Sequence, residues 1–74
     1  MQVRVNLFAT FRSGRFASDL QEYSPGTRIA DVIRSLNIPE GEVGMIMLDN
    51  RHAEPEQQLN EGAKLALFPL LGGG

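Results

Sequence analysis

Ser24-Pro25-Gly26-Thr27-Arg28-Ile29-Ala30-Asp31-Val32-Ile33-Arg34-Ser35-Leu36-Asn37-Ile38-Pro39 is the stretch whose reading decides the fold. Proline at the second position of a turn and glycine at the third suit a type II turn over Ser24-Pro25-Gly26, because the third residue needs a positive φ. Thr27 then stands where an N-cap belongs. Ile29, Val32, Ile33 and Leu36 recur at i, i+3, i+4 and i+7, which is one apolar stripe of an amphipathic helix. Asp31 in the early turns and Arg34 near the end both complement the helix dipole. The stop is also written locally: Asn37 can take the left-handed position after the helix, Ile38 can fold back onto the last turn, and Pro39 prevents continuation.

A single helix with one apolar stripe needs a sheet to cover it, and the flanking segments supply strands. Val3, Val5, Leu7 and Ala9 alternate with Arg4, Asn6 and Phe8, predicting a first strand over residues 2 to 8. Alternation is lost through Ser13-Gly14, a turn signal, before a second strand over residues 17 to 23 anchored by Leu20 with Phe16 and Tyr23. That pair makes an antiparallel hairpin. Beyond the helix, Met45-Ile46-Met47-Leu48 is an apolar run of strand length, Asp49-Asn50-Arg51 a turn and His52-Ala53 a short strand. Glu54 to Glu61 is polar around one anchor, Leu59, and Asn60-Glu61-Gly62 turns the chain into a last strand. There Lys64, Ala66 and Phe68 alternate with Ala63, Leu65 and Leu67 until Pro69, which cannot donate to a ladder, ends it.

The order β, β, α, β, short β, β predicts an α+β fold: a mixed sheet of four to five strands, its first and last strands side by side at the centre, with the helix packed across it. This is the β-grasp, or ubiquitin-like, arrangement. The expected organisation is one domain over residues 1–69 and a flexible tail over residues 70–74 that ends in Gly-Gly.

Composition narrows the function. With 74 residues, 42% of them hydrophobic, there is material for one compact core. Seven Lys plus Arg against nine Asp plus Glu give a net charge of −2, and the basic residues are dispersed, which argues against nucleic acid as a partner. No apolar run is long enough to span a bilayer and the N-terminal strand has no signal-peptide block, so the expectation is a cytoplasmic protein with no membrane partner. The sequence has no cysteine, which removes disulfides, thiolate metal sites and sulfur nucleophiles.

The domain itself holds no visible catalyst. His52 is the only histidine and lacks the partners a metal site needs, so no metal is expected. Glu40 with Glu42 and Glu54 with Glu56 are spaced as pairs but read as solvated loop residues, and nothing suggests the burial that acid-base work by paired carboxylates needs. Met45 and Met47 share a strand face and read as core or sheet surface. No Gly-rich phosphate cradle and no serine triad is present. What remains is the tail, Phe68-Pro69-Leu70-Leu71-Gly72-Gly73-Gly74. Glycines without a Cβ can enter a channel too narrow for side chains, though a frayed end is the competing reading. Leu70 and Leu71 would be unusual as an exposed pair but suit a partner's groove.

Three stretches together resemble the MoaD/ThiS family of ubiquitin-like sulfur carriers: Phe8-Ala9-Thr10-Phe11-Arg12, Gly26-Thr27-Arg28-Ile29-Ala30-Asp31-Val32-Ile33, and Leu59-Asn60-Glu61-Gly62-Ala63 leading into Leu67-Phe68-Pro69 and the glycines. The resemblance implies a carrier rather than an enzyme. An E1-like adenylyltransferase of the MoeB/ThiF type consumes ATP to activate the carboxylate of Gly74, with Gly73 as clearance before it, and delivered sulfur makes a thiocarboxylate. It implies no bound cofactor. The implied second partner is the large subunit of molybdopterin synthase, MoaE type, or a thiazole synthase. Phe68, Pro69, Leu70, Leu71 and Gly72 would meet these partners, with Phe8, Phe11 and Arg12 extending the contact; for the phenylalanines, core packing is the open alternative. The MoaD branch is favoured by the long first connection, by Phe68-Pro69, and by Arg51 following Asn50 where ThiS-type chains carry Asn-Gly. A ThiS-like donor to thiamine thiazole synthesis is the alternative within the family. A ubiquitin-like modifier or plain binding module lies outside it, the modifier disfavoured because Lys64 is the only lysine.

Overall fold

The computed structural model of the chain describes residues 1–70. The expectations for Leu71, Gly72, Gly73 and Gly74 lie outside the described residues. In chain order the elements are β1 (Gln2–Leu7), a 3-10 turn (Ala9–Arg12), β2 (Ser18–Glu22), α1 (Ile29–Ser35), a second 3-10 turn (Glu40–Glu42), β3 (Val43–Leu48), β4 (Arg51–His52) and β5 (Ala63–Pro69). Among the described residues the five strands form one sheet in the order β2-β1-β5-β3-β4. β1 and β5 run parallel, Val3 beside Ala63 through Leu7 beside Leu67, and the other pairings are antiparallel. This is the β-grasp architecture that the element order predicts.

Helix α1 forms where its stripe and its stop signals dictate. Ile29, Val32 and Ile33 are buried against Val3, Val5, Leu7, Ile46, Leu48, Leu65 and Leu67 of the sheet; each such side chain, fully buried, contributes about 1.5–3 kcal/mol. Gly26 has φ +89° and the Thr27 amide donates to the Ser24 carbonyl at 3.2 Å, closing the type II turn. At the far end Asn37 has φ +58°, its amide reaches the Arg34 carbonyl at 3.0 Å and that of Ile38 the Ile33 carbonyl at 3.2 Å. These are the paired bonds of a Schellman stop, and Ile38 is buried behind them. The start differs from the expectation. Arg28, not Thr27, is the cap residue: it is extended, φ −99° and ψ 163°, immediately before the helix begins at Ile29, and the Thr27 hydroxyl donates back to the Ser24 carbonyl at 2.7 Å. Asp31 instead receives the Arg28 amide at 2.9 Å.

Two further expectations are corrected by register and dihedral angle. β1 ends at Leu7 rather than residue 8 and Ala9 leaves the strand face, since φ +50° at Ala9 breaks the extended path. Leu20 is no core anchor. The hairpin places it opposite Arg4, on the face away from Val3 and Val5, and it is 46% exposed; Phe16 and Tyr23 do pack against the core from either side of β2.

Candidate functional site

The face of the sheet away from α1 carries the other half of every alternation. Arg4 and Asn6 of β1, Lys64, Ala66 and Phe68 of β5, and Met45 and Met47 of β3 lie on it. Met45 is opposite Phe68 and Met47 opposite Ala66 in the β3–β5 ladder. Toward the end where β1 and β5 finish, this face turns apolar. The rings of Phe8 and Phe68 stack with centroids 4.3 Å apart and 10° between planes, an arrangement that follows from the parallel pairing of Leu7 with Leu67 one residue earlier. Phe8, Ala9, Met45, Phe68, Pro69 and Leu70 line an open cleft of about 300 Å³ there. Met45 and Leu70 are exposed, Leu70 by 63%.

Arg12 sits at the rim. Its Nε donates to the Leu7 carbonyl at 2.7 Å, and its guanidinium carbon lies 5.4 Å from the centre of the Phe8 ring, within cation–π range. One positive charge is thereby held over an apolar floor. Phe11, expected beside Phe8 in the contact surface, lies instead in the core, 3% exposed. The break in the strand is the reason: Phe8 is still extended, φ −124° and ψ 154°, and keeps the outward face of the β1 alternation, whereas Phe11 belongs to the 3-10 turn that follows and is its buried residue. Of the expected contact residues, then, Phe8, Arg12, Phe68, Pro69 and Leu70 are brought together, and Met45, which the sequence places in the core or on the sheet surface, joins them with Ala9. Met45 had a signal: alternation with Ile46 and Leu48 would have placed it outward once one of them was known to be buried.

This floor has no chemistry of its own. Among the described residues none that lines the cleft carries an ionisable side chain, and no group of three or more His, Cys, Asp or Glu side chains is placed to hold a metal. Asp31, whose carboxyl is held below the usual carboxylate range chiefly by the Arg28 amide and then by Arg34, lies at the start of α1. Such a surface can bind and orient an apolar partner and guide the backbone that leaves β5. Among the described residues no helix is long and apolar enough to cross a membrane.

The model of the ThiS family matches residues 5–74. A Pyrococcus furiosus protein described as subunit 1 of a molybdopterin converting factor is 26% identical, with 93% of this chain and 97% of that one covered at a TM-score of 0.75. The small archaeal modifier protein 1 of Haloferax volcanii is 15% identical over 92% of this chain and 95% of its own, TM-score 0.74. A structure of the Helicobacter pylori complex of subunits 1 and 2 of molybdopterin-converting factor matches at 18% identity over 100% of both chains, TM-score 0.67. The last two likenesses concern the fold alone. A comparison with curated proteins finds no match.

Proposed function

The chain belongs to the ThiS family, and on that premise we propose that it carries sulfur as a thiocarboxylate on the diglycine Gly73-Gly74. Membership supports the carrier role; the chemistry follows from what a carboxylate requires. A carboxylate is a poor acyl donor until one oxygen becomes part of a leaving group. An E1-like enzyme would transfer the adenylyl group of ATP to the Gly74 carboxylate, releasing pyrophosphate. A persulfide sulfur then attacks the activated carbonyl and AMP leaves. Reductive cleavage of the sulfur–sulfur bond by a thiol frees the glycyl thiocarboxylate. The sequence has no cysteine, so this chain cannot hold the sulfur as its own persulfide.

The observation that carries the proposal is the apolar floor of Phe8, Phe68 and Met45 lying where β5 releases the chain through Pro69 and Leu70. A partner seated there would grip the domain beside the segment it must process. We assign the recipient pathway to molybdopterin synthesis, with this chain as the small subunit of the synthase. The long connection from β1 to β2 and the Phe68-Pro69 pair favour that branch over thiazole synthesis.

Incubation with an E1-like enzyme, ATP and a sulfur donor tests the chemistry. Intact-mass spectrometry should show one oxygen replaced by one sulfur, and deletion of Gly74 should abolish the change. A truncated chain that still gains sulfur would sink the proposal. Complementation of molybdenum-cofactor and thiamine auxotrophs in parallel separates the two recipients, and a lysine-linked adduct on other proteins would mark a modifier instead.

A further inference from the structure

β3 carries one residue more than β5 can pair. Val43 stands opposite Pro69 and Met45 opposite Phe68, so Gly44 has no partner and forms a bulge. Its φ lies outside the left-handed region, unlike those of Gly14, Gly26 and Gly62, so conformation does not demand glycine there. Space does. A Cβ on Gly44 would meet the Pro69 carbonyl oxygen at 2.7 Å, the Leu70 Cα at 2.9 Å and the Leu70 nitrogen at 3.0 Å. All three are backbone atoms, which cannot rotate aside as a side-chain tip can. Gly14, Gly26, Gly41 and Gly62 have nothing within 4 Å of the same position.

The backbone that fills this space is also tied there. The Leu70 amide donates to the Glu42 carbonyl at 2.9 Å, one residue past Pro69, which has no N–H to give. Glu42 thus holds the departing chain on one side of the bulge while Gly44 leaves it room on the other. Beyond that point Leu70 borders the cleft with Phe68 and Met45.

We propose that Gly44 is a positioning residue: by admitting the Pro69-Leu70 backbone where a side chain would stand, it sets the direction in which the chain leaves the sheet across the Phe8–Phe68 floor. The consequence for activation, that the terminal carboxylate reaches the adenylating site in register, rests on the sulfur-carrier reading. The consequence for the exit does not.

The test uses the full chain, its Gly44→Ala variant and Gly41→Ala as a control, since Gly41 is an open position. Amide hydrogen exchange should find the Leu70 amide of the unmodified chain slowed by its bond to Glu42. In Gly44→Ala that amide should shift and exchange freely while those of Val5 and Leu65 keep their protection. With an E1-like enzyme and ATP, turnover of Gly44→Ala should fall about tenfold or more, as expected for a misplaced reacting group, with KM for the carrier within about twofold because the docking floor is intact. Gly41→Ala should match the unmodified chain in both assays. An unprotected Leu70 amide in the unmodified chain overturns the proposal, as does a Gly44→Ala variant whose Leu70 signal is unchanged. A variant that fails to fold also overturns it, because the strain would then reside in the sheet and not be relieved at the exit. A rise in KM at constant turnover would assign Gly44 to docking. If the unmodified chain is itself not activated, the sulfur-carrier reading fails, and the exchange data alone decide the exit.

Discussion

Phe8 and Phe68 stack face to face, 4.3 Å between ring centres, on the side of the sheet away from the core, and both remain half-buried. Two aromatic rings held flat and partly wet form a rigid platform whose full apolar area is covered only when something else seats on it. Their position, beside the exit through Pro69 and Leu70, makes the pair the centre of the candidate contact surface.

Phe68→Ala should therefore separate binding from folding. Loss of one half-buried stacking partner lowers stability by about 1–2 kcal/mol, read from urea denaturation. Affinity for the E1-like enzyme or the synthase large subunit should fall about tenfold or more, as for an aromatic anchor at the middle of an interface. Calorimetric titration that returned an unchanged affinity would remove the stack from the contact surface.

Phe11→Ala should do the opposite. Phe11 is 3% exposed and belongs to the core cluster, so truncation costs about 3–5 kcal/mol. That is a large share of the roughly 5–15 kcal/mol by which small domains are stable. Partner affinity, corrected for the folded fraction, should be unchanged.

The contrast between these two phenylalanines shows where sequence stops being informative. The stop of α1 is legible because it is local: Asn37, Ile38 and Pro39 act within one turn of Ile33 and Arg34. The type I′ geometry of the β3–β4 turn, with positive φ at both Asp49 and Asn50, likewise involves residues next to one another, and the stretch reads as a turn. The central pairing of β1 with β5 follows from their matched apolar alternation. Leu20, Phe11 and Gly44 are different. The face of Leu20 depends on a register with Arg4, that of Phe11 on how a loop closes once alternation ends, and the crowding at Gly44 on a bulge against residues 25 positions away in the chain, Pro69 being the partner of Val43 one step before it. Of the candidate site, Phe8, Arg12, Phe68, Pro69 and Leu70 are readable from pattern and resemblance, and alternation leaves Met45 between core and sheet surface; Gly44 emerges only when β3 is laid against β5.

Asp31→Asn should flatten part of the acid limb of the stability curve. The Asp31 carboxyl is held below its ordinary value, first by the Arg28 amide and then by Arg34, so the folded state favours the ionised form. A depressed folded value means the contribution is present above the unfolded carboxylate range and is lost as pH falls from there through the folded value. The variant lacks it at neutral pH and shows less decline in acid. Urea midpoints compared across that window check the sign; a gap between the two chains that widened toward acid would refute the assignment.

Arg15 is held by geometry that a loop sequence conceals. Its guanidinium donates to three carbonyls: Leu36 at 2.8 Å from Nε, Phe11 at 3.2 Å and Asn37 at 3.2 Å from the two terminal nitrogens. Leu36 and Asn37 lie at the C-terminal end of α1, where carbonyls are left without helical partners and carry the negative end of the dipole. One side chain thus joins the β1–β2 connection, the 3-10 turn that seats Phe11, and the helix stop. Lysine has a single nitrogen and cannot span three acceptors in a fixed fork. Arg15→Lys should then lose nearly as much stability as Arg15→Ala, about 1–3 kcal/mol, given that bonds from a charged donor contribute more than neutral ones. Since the acceptors are neutral carbonyls, the loss should persist in high salt, whereas the exposed Asp31–Arg34 pair, 3.2 Å apart, is open to screening. Denaturation of both variants at low and high ionic strength makes the comparison. Full rescue by lysine, or a loss that disappears in salt, would show that charge and not the fork holds the loop to the helix.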